Sequence, residues 1–331
     1  MALALALTAA LWAPLSSPLA AQPPLEGATE VEVAPDSQAI YGGETVEPGA
    51  WPAVVAVRTD KLCTGTLVAP NLVLTAAHCF DPAPSGSVDI SFGDSISAPS
   101  ALIEAEAWGS HEDFCLPSEC GDEIHDFAWV RLPEAVEVDP IVPITDQDEF
   151  DAAMGVGTEL VFVGYGQDED GIIGQKQQVD AAITSYTENG REFRAGGDGK
   201  DTCYGDSGGP ALVQLEDGQW RLAGVLSRGG DCGEGGVYGV PLPELCWLRD
   251  ESGVDLLPSG CEQCDCVILS NELDDEGCEC GVEGDAGERS PWRLALAPIC
   301  LLGGLVLRRR MARGASVPRA MTASDERSRR G

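Results

Sequence analysis

Apolar residues between positions 40 and 253 fall in short runs that turn-forming residues separate at close intervals. Such runs, bounded by Gly, Pro, Asn and Asp, are typical of strands in an all-β sandwich or barrel. One short helix is predicted at residues 244–249. The pattern therefore predicts an all-β domain, with eight strands at residues 53–57, 66–74, 87–92, 127–132, 159–163, 210–215, 221–227 and 236–240.

The residues before this domain have a different pattern. Residues 1–21 are apolar and end in small residues, as in a secretory signal peptide. Residues 22–39 are acidic, contain proline and lack an apolar period, so they are predicted to be a propeptide or linker. An uncleaved anchor or a misassigned start is the alternative interpretation of the first segment. Export of the domain is the expectation.

The residues after the domain contain too little apolar material for a second core. Residues 254–288 hold five cysteines among many acidic groups and are predicted to be a stalk. Residues 289–313 combine an apolar run with an arginine cluster, and residues 314–331 form a polar tail. The run at 292–307 would rise only about 24 Å as a helix, less than a hydrocarbon core of roughly 30 Å. It therefore suits either a membrane anchor or a sorting signal that is read and removed.

These C-terminal features resemble the myxobacterial-type C-terminal sorting signals. In those signals a Cys-containing motif, a short hydrophobic helix and an Arg cluster direct a protein to the cell surface. The resemblance implies attachment to the cell surface or outer membrane, or release outside the cell.

Composition narrows the class of partner. The net charge is −35, and half of the 20 Lys and Arg residues lie in residues 289–331. A body this acidic is repelled by phosphate backbones, which argues against nucleic acid as a partner. A hydrophobic content of 44% argues against disorder throughout the chain. Thirteen cysteines are too many for a reducing cytosol unless they bind metal, which agrees with export.

Three short strings contain candidate catalytic groups. Thr75-Ala76-Ala77-His78-Cys79 surrounds a histidine with small residues, which lets the imidazole face an open surface. His125-Asp126 places a carboxylate at the start of an apolar strand. Gly205-Asp206-Ser207-Gly208 puts a serine on a tight turn, where backbone N–H groups converge as an oxyanion site requires. Singly, a histidine is more often structural and a strand-end aspartate is usually solvated.

Together, in the order His, Asp, Ser, the strings resemble the trypsin-like (chymotrypsin-fold) serine peptidases. The resemblance extends from Ile40-Tyr41-Gly42-Gly43 to the region of Trp247. It implies two six-stranded antiparallel β-barrels with a short C-terminal helix. It also implies an exported serine endopeptidase with protein or peptide substrates, no cofactor and no metal.

The family's catalytic roles transfer to matching positions in this chain. Ser207 would be the nucleophile, His78 its general base, and Asp126 the group that orients the imidazole. Asp126 is chosen over the nearby Asp113, Asp122 and Glu123 because it alone leads directly into an apolar strand. The N–H groups of Gly205 and Ser207 would form the oxyanion hole.

The resemblance also implies a substrate preference. Asp201 stands where trypsin-type members place the carboxylate at the base of the S1 pocket, and Gly229 and Gly236 match the pocket walls. Ser227 to Gly229 would pair with the substrate backbone. Because a buried carboxylate needs a cation, Arg or Lys at P1 is expected. The alternative is that Asp201 is solvated or paired with Lys200.

Activation by proteolysis is implied as well. In the family, the residue at Asp206 pairs with the α-amino group that zymogen cleavage releases, here that of Ile40. Because Ala39 precedes Ile40, the activating protease would have to accept small residues. Arg228 departs from the family, which usually has Trp there. Its cation would either oppose basic substrate residues beyond P1 or pair with a nearby acid such as Asp231.

The cysteines fit an exported domain. The resemblance implies the bridges Cys203–Cys232 and Cys63–Cys79, and Cys115 and Cys120 flank one loop and are expected to pair. The pairing of the remaining even set stays open. A zinc site is conceivable from the C-x2-C-x-C spacing, but disulfides or processing are favoured outside the cytosol. The open set is Cys246, Cys261, Cys264, Cys266, Cys278 and Cys280.

Two other functions remain as alternatives. A catalytically silent surface binding module would result if the junction before Ile40 were never cut. A peptidase with a different P1 preference would result if Asp201 did not line the S1 pocket. The intact His78, Asp126 and Ser207 favour an active enzyme.

Overall fold

The computed structural model describes residues 40–120, 124–261 and 264. The predicted signal peptide, the propeptide, most of the stalk, the apolar C-terminal segment and the polar tail lie outside the described residues. Within the described ranges, no helix is both long enough and apolar enough to cross a membrane.

The described chain is built mainly from short strands. Its three α-helices are α1 (Pro117–Cys120), α2 (Gln147–Ala153) and α3 (Leu245–Ser252), and 3-10 turns occur at Ala77–Phe80 and Leu242–Glu244. The strands are β1 (Glu44–Thr45), β2 (Val54–Arg58), β3 (Leu62–Ala69), β4 (Leu72–Thr75), β5 (Asp89–Phe92), β6 (Ala101–Glu104), β7 (Ala107–Ser110), β8 (Ala128–Arg131), β9 (Glu159–Gly164), β10 (Gln177–Tyr186), β11 (Glu192–Ala195), β12 (Pro210–Gln214), β13 (Trp220–Gly229) and β14 (Gly236–Gly239).

The N-terminal half of the described chain forms one antiparallel sheet. Its strand order is β6-β5-β2-β3-β4-β8-β7, which curls into a half-barrel. Aliphatic side chains from the central strands fill its concave side, among them Val57, Leu67 and Ile90, which are fully buried. This half carries the histidine and aspartate strings at the ends of β4 and β8.

The C-terminal half forms a closed six-stranded barrel. Strands β9, β10, β11, β14, β13 and β12 pair in turn, β12 pairs back onto β9, and β1 adds to the outside of β10. Closure leaves no free edge among the six strands. The rings of Phe162 and Phe193 stack on Tyr238, with centroids 4.8 Å and 5.3 Å away, and fill the interior. The serine string leads into β12.

The predicted all-β, chymotrypsin-like fold with a short C-terminal helix is confirmed. One of the two predicted barrels is closed, whereas the other is a curled sheet. The single strand predicted over 66–74 is wrong, because Pro70 and Asn71 form a turn that divides it into β3 and β4. Proline has no N–H for a sheet ladder, which explains the break.

Several elements were not predicted from the sequence. Strand β10 alternates buried residues with more exposed polar or small ones, so it never forms an apolar run. Strand β1 has only two residues, β6 is largely exposed, and β7 and β11 have four residues each. Helix α2 has no buried residue, and Asp146 caps its first turn by accepting from Glu149 N–H at 2.8 Å.

Candidate active site

His78 and Asp126 are brought together by the ends of two paired strands. Strands β4 and β8 are neighbours, with Thr75 opposite Ala128. His78 follows β4 on a 3-10 turn, and Asp126 precedes β8. The histidine Nδ1 lies 2.7 Å from Asp126 Oδ2, and the His78 backbone N–H donates to Asp126 Oδ1 at 2.9 Å. Two residues that are 48 positions apart in the sequence thus become a hydrogen-bonded pair.

This geometry fixes the histidine tautomer. An ionised carboxylate only accepts hydrogen bonds, so the proton of His78 lies on Nδ1 and Nε2 keeps a lone pair. The Asp126 side chain is 5% exposed, whereas that of His78 is 26% exposed. Ser227 Oγ donates to Asp126 Oδ2 at 2.7 Å. The imidazole is therefore held by a buried carboxylate while one side remains open to a reactant.

The turn around Ser207 is held between the two sheets. Thr64 of β3 donates its N–H to Ser207 O at 2.9 Å, and Gly208 N–H donates to Leu226 O of β13 at 2.8 Å. Gly205 and Gly208 have φ of 104° and 78°, which only glycine adopts easily. A Cβ at Gly208 would lie 2.0 Å from Thr75 Oγ1. The glycines of the string are thus required by both conformation and space.

Two backbone donors lie on this turn. Within the part of the chain that the structure describes, the N–H groups of Gly205 and Ser207 have no hydrogen-bond acceptor. Ser207 itself is partly exposed. Donors without an internal partner, next to an accessible hydroxyl, provide what an oxyanion site needs.

Asp201 precedes this turn in the sequence and is buried, with 2% of its surface exposed. Its Oδ2 accepts from Gly235 N–H at 2.8 Å, and burial raises its pKa. Among the described residues no Lys or Arg pairs with it, and Lys200 is exposed. Gly229 and Gly236 face each other across β13 and β14. The geometry thus gives a buried carboxylate with which no described cation pairs.

Asp206 is a second buried carboxylate, with no exposed surface. Its oxygens accept from Gly166 N–H at 2.7 Å and Cys203 N–H at 2.9 Å. Burial raises its pKa to about 7. Ile40 is also fully buried, and the next residue is fastened by Asp201 N–H donating to Tyr41 O at 3.0 Å. No described cation pairs with Asp206 in the uncut chain.

The three predicted disulfides are present: Cys63–Cys79, Cys115–Cys120 and Cys203–Cys232. A fourth bridge joins Cys246 to Cys264, a pair that the sequence left open. This bridge ties helix α3 to the segment that follows it.

Sequence reasoning missed the charged residues behind Asp126. Arg228 forks onto both oxygens of Glu192, rather than pairing with Asp231. His125 and Glu244 also form an ion pair, although 119 positions separate them. No local pattern connects residues so far apart, so only the fold reveals these pairs.

Two groups of side chains among the described residues have the spacing of metal ligands. The first contains Cys63, His78 and Cys79, but its two sulfur atoms are bonded to each other and offer no thiolate. The second contains His111, His125 and Glu244. These three side chains hydrogen-bond directly to one another through the carboxylate.

Comparison with protein families matches residues 40–244, more than half of the chain, to the family described as Trypsin. Transmembrane protease serine 11C of Mus musculus is 27% identical over 239 residues, which are 65% of this chain and 54% of that protein. Brachyurin of Leptuca pugilator is 31% identical over 189 residues, covering 52% of this chain and 80% of its own length.

Chymotrypsin-C of Bos taurus is 28% identical over 218 residues, covering 58% of this chain and 79% of its own length. The chain spans about half the length of the mouse protease, 54%. The family match covers the histidine, aspartate and serine strings and both sheets. This chain therefore belongs to the trypsin family of serine endopeptidases.

Proposed function

We propose that this protein is an exported serine endopeptidase that hydrolyses peptide bonds after Arg or Lys. The observation that carries the proposal is the 2.7 Å contact between His78 Nδ1 and the buried Asp126, in a chain with an accessible Ser207 on a glycine turn. The experiment that tests it is the replacement Ser207→Ala, which should remove nearly all peptidase activity.

The chemistry follows from the proton positions. Nε2 of His78 takes the proton of Ser207 Oγ as that oxygen bonds to the substrate carbonyl carbon. The carbonyl oxygen becomes an anion and accepts from Gly205 and Ser207 N–H. His78 then gives its proton to the leaving amine as the C–N bond breaks, and an acyl-enzyme remains. A water molecule then bonds to the acyl carbon while His78 Nε2 takes its proton. His78 returns that proton to Ser207 Oγ as the ester C–O bond breaks, and the acid is released.

The P1 preference rests on Asp201. A substrate guanidinium or ammonium would supply the missing cation, whereas an apolar side chain would leave the carboxylate buried and unpaired. A Cβ at Gly236 would lie 2.9 Å from Leu226 Cδ1 and 3.0 Å from Tyr238 Cε2, so these two side chains border the proposed pocket wall. The Arg228 cation is already engaged by Glu192, which reduces its repulsion of basic residues elsewhere in the substrate.

Replacing Asp201 with Ser should reverse this preference. We expect kcat/KM for Arg and Lys substrates to fall by about 10³, because the substrate charge would be buried without a partner. For substrates with an apolar P1 residue, kcat/KM should change little. A fluorogenic P1 panel measures both effects, with Asp198→Ser as the exposed-loop control. Unchanged cleavage after Arg in Asp201→Ser would contradict the role of Asp201.

The proposal includes synthesis as a zymogen that another protease cuts between Ala39 and Ile40. The new α-amino group has an ordinary pKa near 8, so it is a cation at neutral pH. It would pair with Asp206, which is fully buried beside the oxyanion turn. Attachment to the membrane or cell surface through residues 289–313 remains part of the proposal.

Cutting after Ala39 should change both activity and pH dependence. In the uncut chain the pKa of Asp206 is about 7 instead of 3.8, so the folded state binds this proton more tightly than the unfolded state. Its contribution to the free energy of unfolding therefore falls as pH rises between those values. We expect the cut protein to lack this decline and to gain activity. N-terminal sequencing, peptidase assays and thermal unfolding across that range measure the change.

Asp206→Asn provides the control, because Asn does not titrate. In the uncut Asp206→Asn variant, the free energy of unfolding should lack the part of its decline with rising pH that Asp206 causes. Full activity in the uncut native chain would contradict zymogen activation. A protein that has a free Ile40 amine, but neither cleaves substrate nor reacts with an organophosphorus reagent at Ser207, would favour the silent binding module instead.

A further inference from the structure

A buried ionic cluster lies directly behind Asp126. Its centre is Glu244, whose side chain is 8% exposed. The two carboxylate oxygens contact His111 Nε2 at 3.2 Å, His125 Nδ1 at 3.1 Å and Arg191 Nη1 at 3.0 Å. Burial alone would raise the pKa of Glu244, but the hydrogen bonds and charges of His111 and His125 lower it to about 2. The carboxylate is therefore ionised and accepts from three donors.

His125 connects this cluster to the proposed triad. It is the residue before Asp126, and its φ of 44° is disfavoured for a residue other than glycine. Phe127 N–H donates to His125 O at 2.8 Å, which closes a three-residue turn with Asp126 at its centre. The ring of His125 hydrogen-bonds to Glu244 through Nδ1. Its face stacks on the ring of His111, with the two centroids 4.6 Å apart. The backbone that carries Asp126 thus depends on a side-chain anchor.

The other flank of Asp126 has a matching support. Ser227 Oγ donates to Asp126, and Arg228 Nη1 lies 3.4 Å from the same Ser227 Oγ. Arg228 in turn forks onto Glu192. Arg191 and Glu192 are adjacent in the sequence, and β11 begins at Glu192. Arg191 pairs with Glu244 and Glu192 pairs with Arg228, so two adjacent residues form the ion pairs on both sides of Asp126. Arg191, Glu192 and Glu244 border the same small pocket beside Asp126.

The arrangement fits a hydrogen-bonded support better than a metal site. Asp113 N–H donates to His111 Nδ1 at 3.1 Å, which leaves the proton of a neutral His111 on Nε2, facing Glu244. The rings of His111 and His125 lie 21° from parallel, so their in-plane lone pairs do not converge on one point. Arg191 already brings a positive charge to the carboxylate.

We propose that Glu244 is a positioning residue for Asp126 and acts through His125. It fixes the three-residue turn so that Asp126 Oδ2 meets His78 Nδ1. The proposal rests on the triad assigned under the proposed function. Its effect is on the chemical step, because neither Glu244 nor His125 touches the residues proposed to bind substrate.

The test compares Glu244→Gln and His125→Gly in cut, active protein. Gln places an N–H₂ group against donors, and Gly removes the anchor while relieving the positive φ. We expect kcat to fall about 10- to 100-fold in each variant, since small misplacements near reacting groups cost this much. KM should stay within about twofold, and the double variant should be no worse than the poorer single variant, as expected for residues that share one contact.

A pH profile provides a readout that a purely structural defect would not move. A displaced Asp126 stabilises the His78 imidazolium less, so the acidic limb of kcat/KM should shift to lower pH. Active-site titration normalises the amount of competent enzyme. Glu149→Gln is the matched control, because it removes a carboxylate from the Arg221 pair away from the site, and its kcat should be unchanged.

Unchanged kcat in a folded Glu244→Gln or His125→Gly variant would overturn the proposal, as would equal losses in Glu149→Gln. The two variants break one contact from opposite ends, so either one that folds is decisive. Asp126→Asn is measured in parallel. Full activity of Asp126→Asn would refute the triad itself, whereas loss in Asp126→Asn alone would refute only the positioning role.

Discussion

Ser207→Ala is expected to reduce kcat by about 10⁶, because removing a catalytic serine costs about that much in enzymes with this triad. The alanine methyl group has no oxygen to form the acyl-enzyme. The oxyanion donors and the S1 pocket would remain, so substrate binding and a weak residual rate over water should persist. Stopped or continuous hydrolysis of an Arg-anilide substrate by protein with a free Ile40 amine measures the loss.

Covalent labelling tests the role of Ser207 as the nucleophile independently of the choice of substrate. An organophosphorus reagent should attach to Ser207 in the native protein and not in the variant. Ser97→Ala is the control, since Ser97 is an exposed serine outside the site, and it should keep full activity and full labelling. Hydrolysis by Ser207→Ala at the native rate would refute Ser207 as the nucleophile.

The candidate catalytic residues could be proposed from the sequence because each string prescribes its own local backbone. Gly205 and Gly208 adopt positive φ, and the Cβ of any other residue at Gly208 would collide with β4. The small residues before His78, Ala76 and Ala77, are buried. Such constraints act over a few positions, so they are visible as short motifs.

The supporting residues were not predictable in this way. Glu244 lies on a short 3-10 turn and reaches His125 only because the chain returns after crossing the second barrel. Arg191 and Glu192 sit between a turn and a strand of four residues, where charged side chains are ordinarily solvent-exposed. Their role depends on long-range packing, which no periodicity or spacing in the sequence records.

The same distinction applies to the strands. Strands β2 and β12 are continuous apolar runs buried on both sides, so their prediction succeeded. Strand β10 pairs with three neighbours although its sequence includes Gln, Asp and Thr. Closure of the barrel, rather than local hydrophobicity, determines that it is a strand.

Asp126→Asn is expected to lower kcat by about 10⁴ at neutral pH, the loss associated with the wrong histidine tautomer. The Asn amide can present N–H₂ to Nδ1 of His78, in place of an oxygen that only accepts. The imidazole proton then moves to Nε2, where it removes the lone pair that must take the Ser207 proton. The fold should be retained, because Asn fills the same space, its oxygen can still accept from His78 N–H, and the Ser227 hydroxyl can turn to accept from the amide N–H₂.

Asp113→Asn is the matched control, because Asp113 is an exposed carboxylate on the loop before Asp126 and was a competing candidate in the sequence. Its kcat should stay within about twofold of the native value, as for most surface substitutions. Steady-state kinetics on both variants, with circular dichroism to verify the fold, separates the two carboxylates. A large loss in Asp113→Asn with native activity in Asp126→Asn would reverse the assignment. Because Asp126 alone among the described residues binds both His78 Nδ1 and His78 N–H, the reverse result would require a different site.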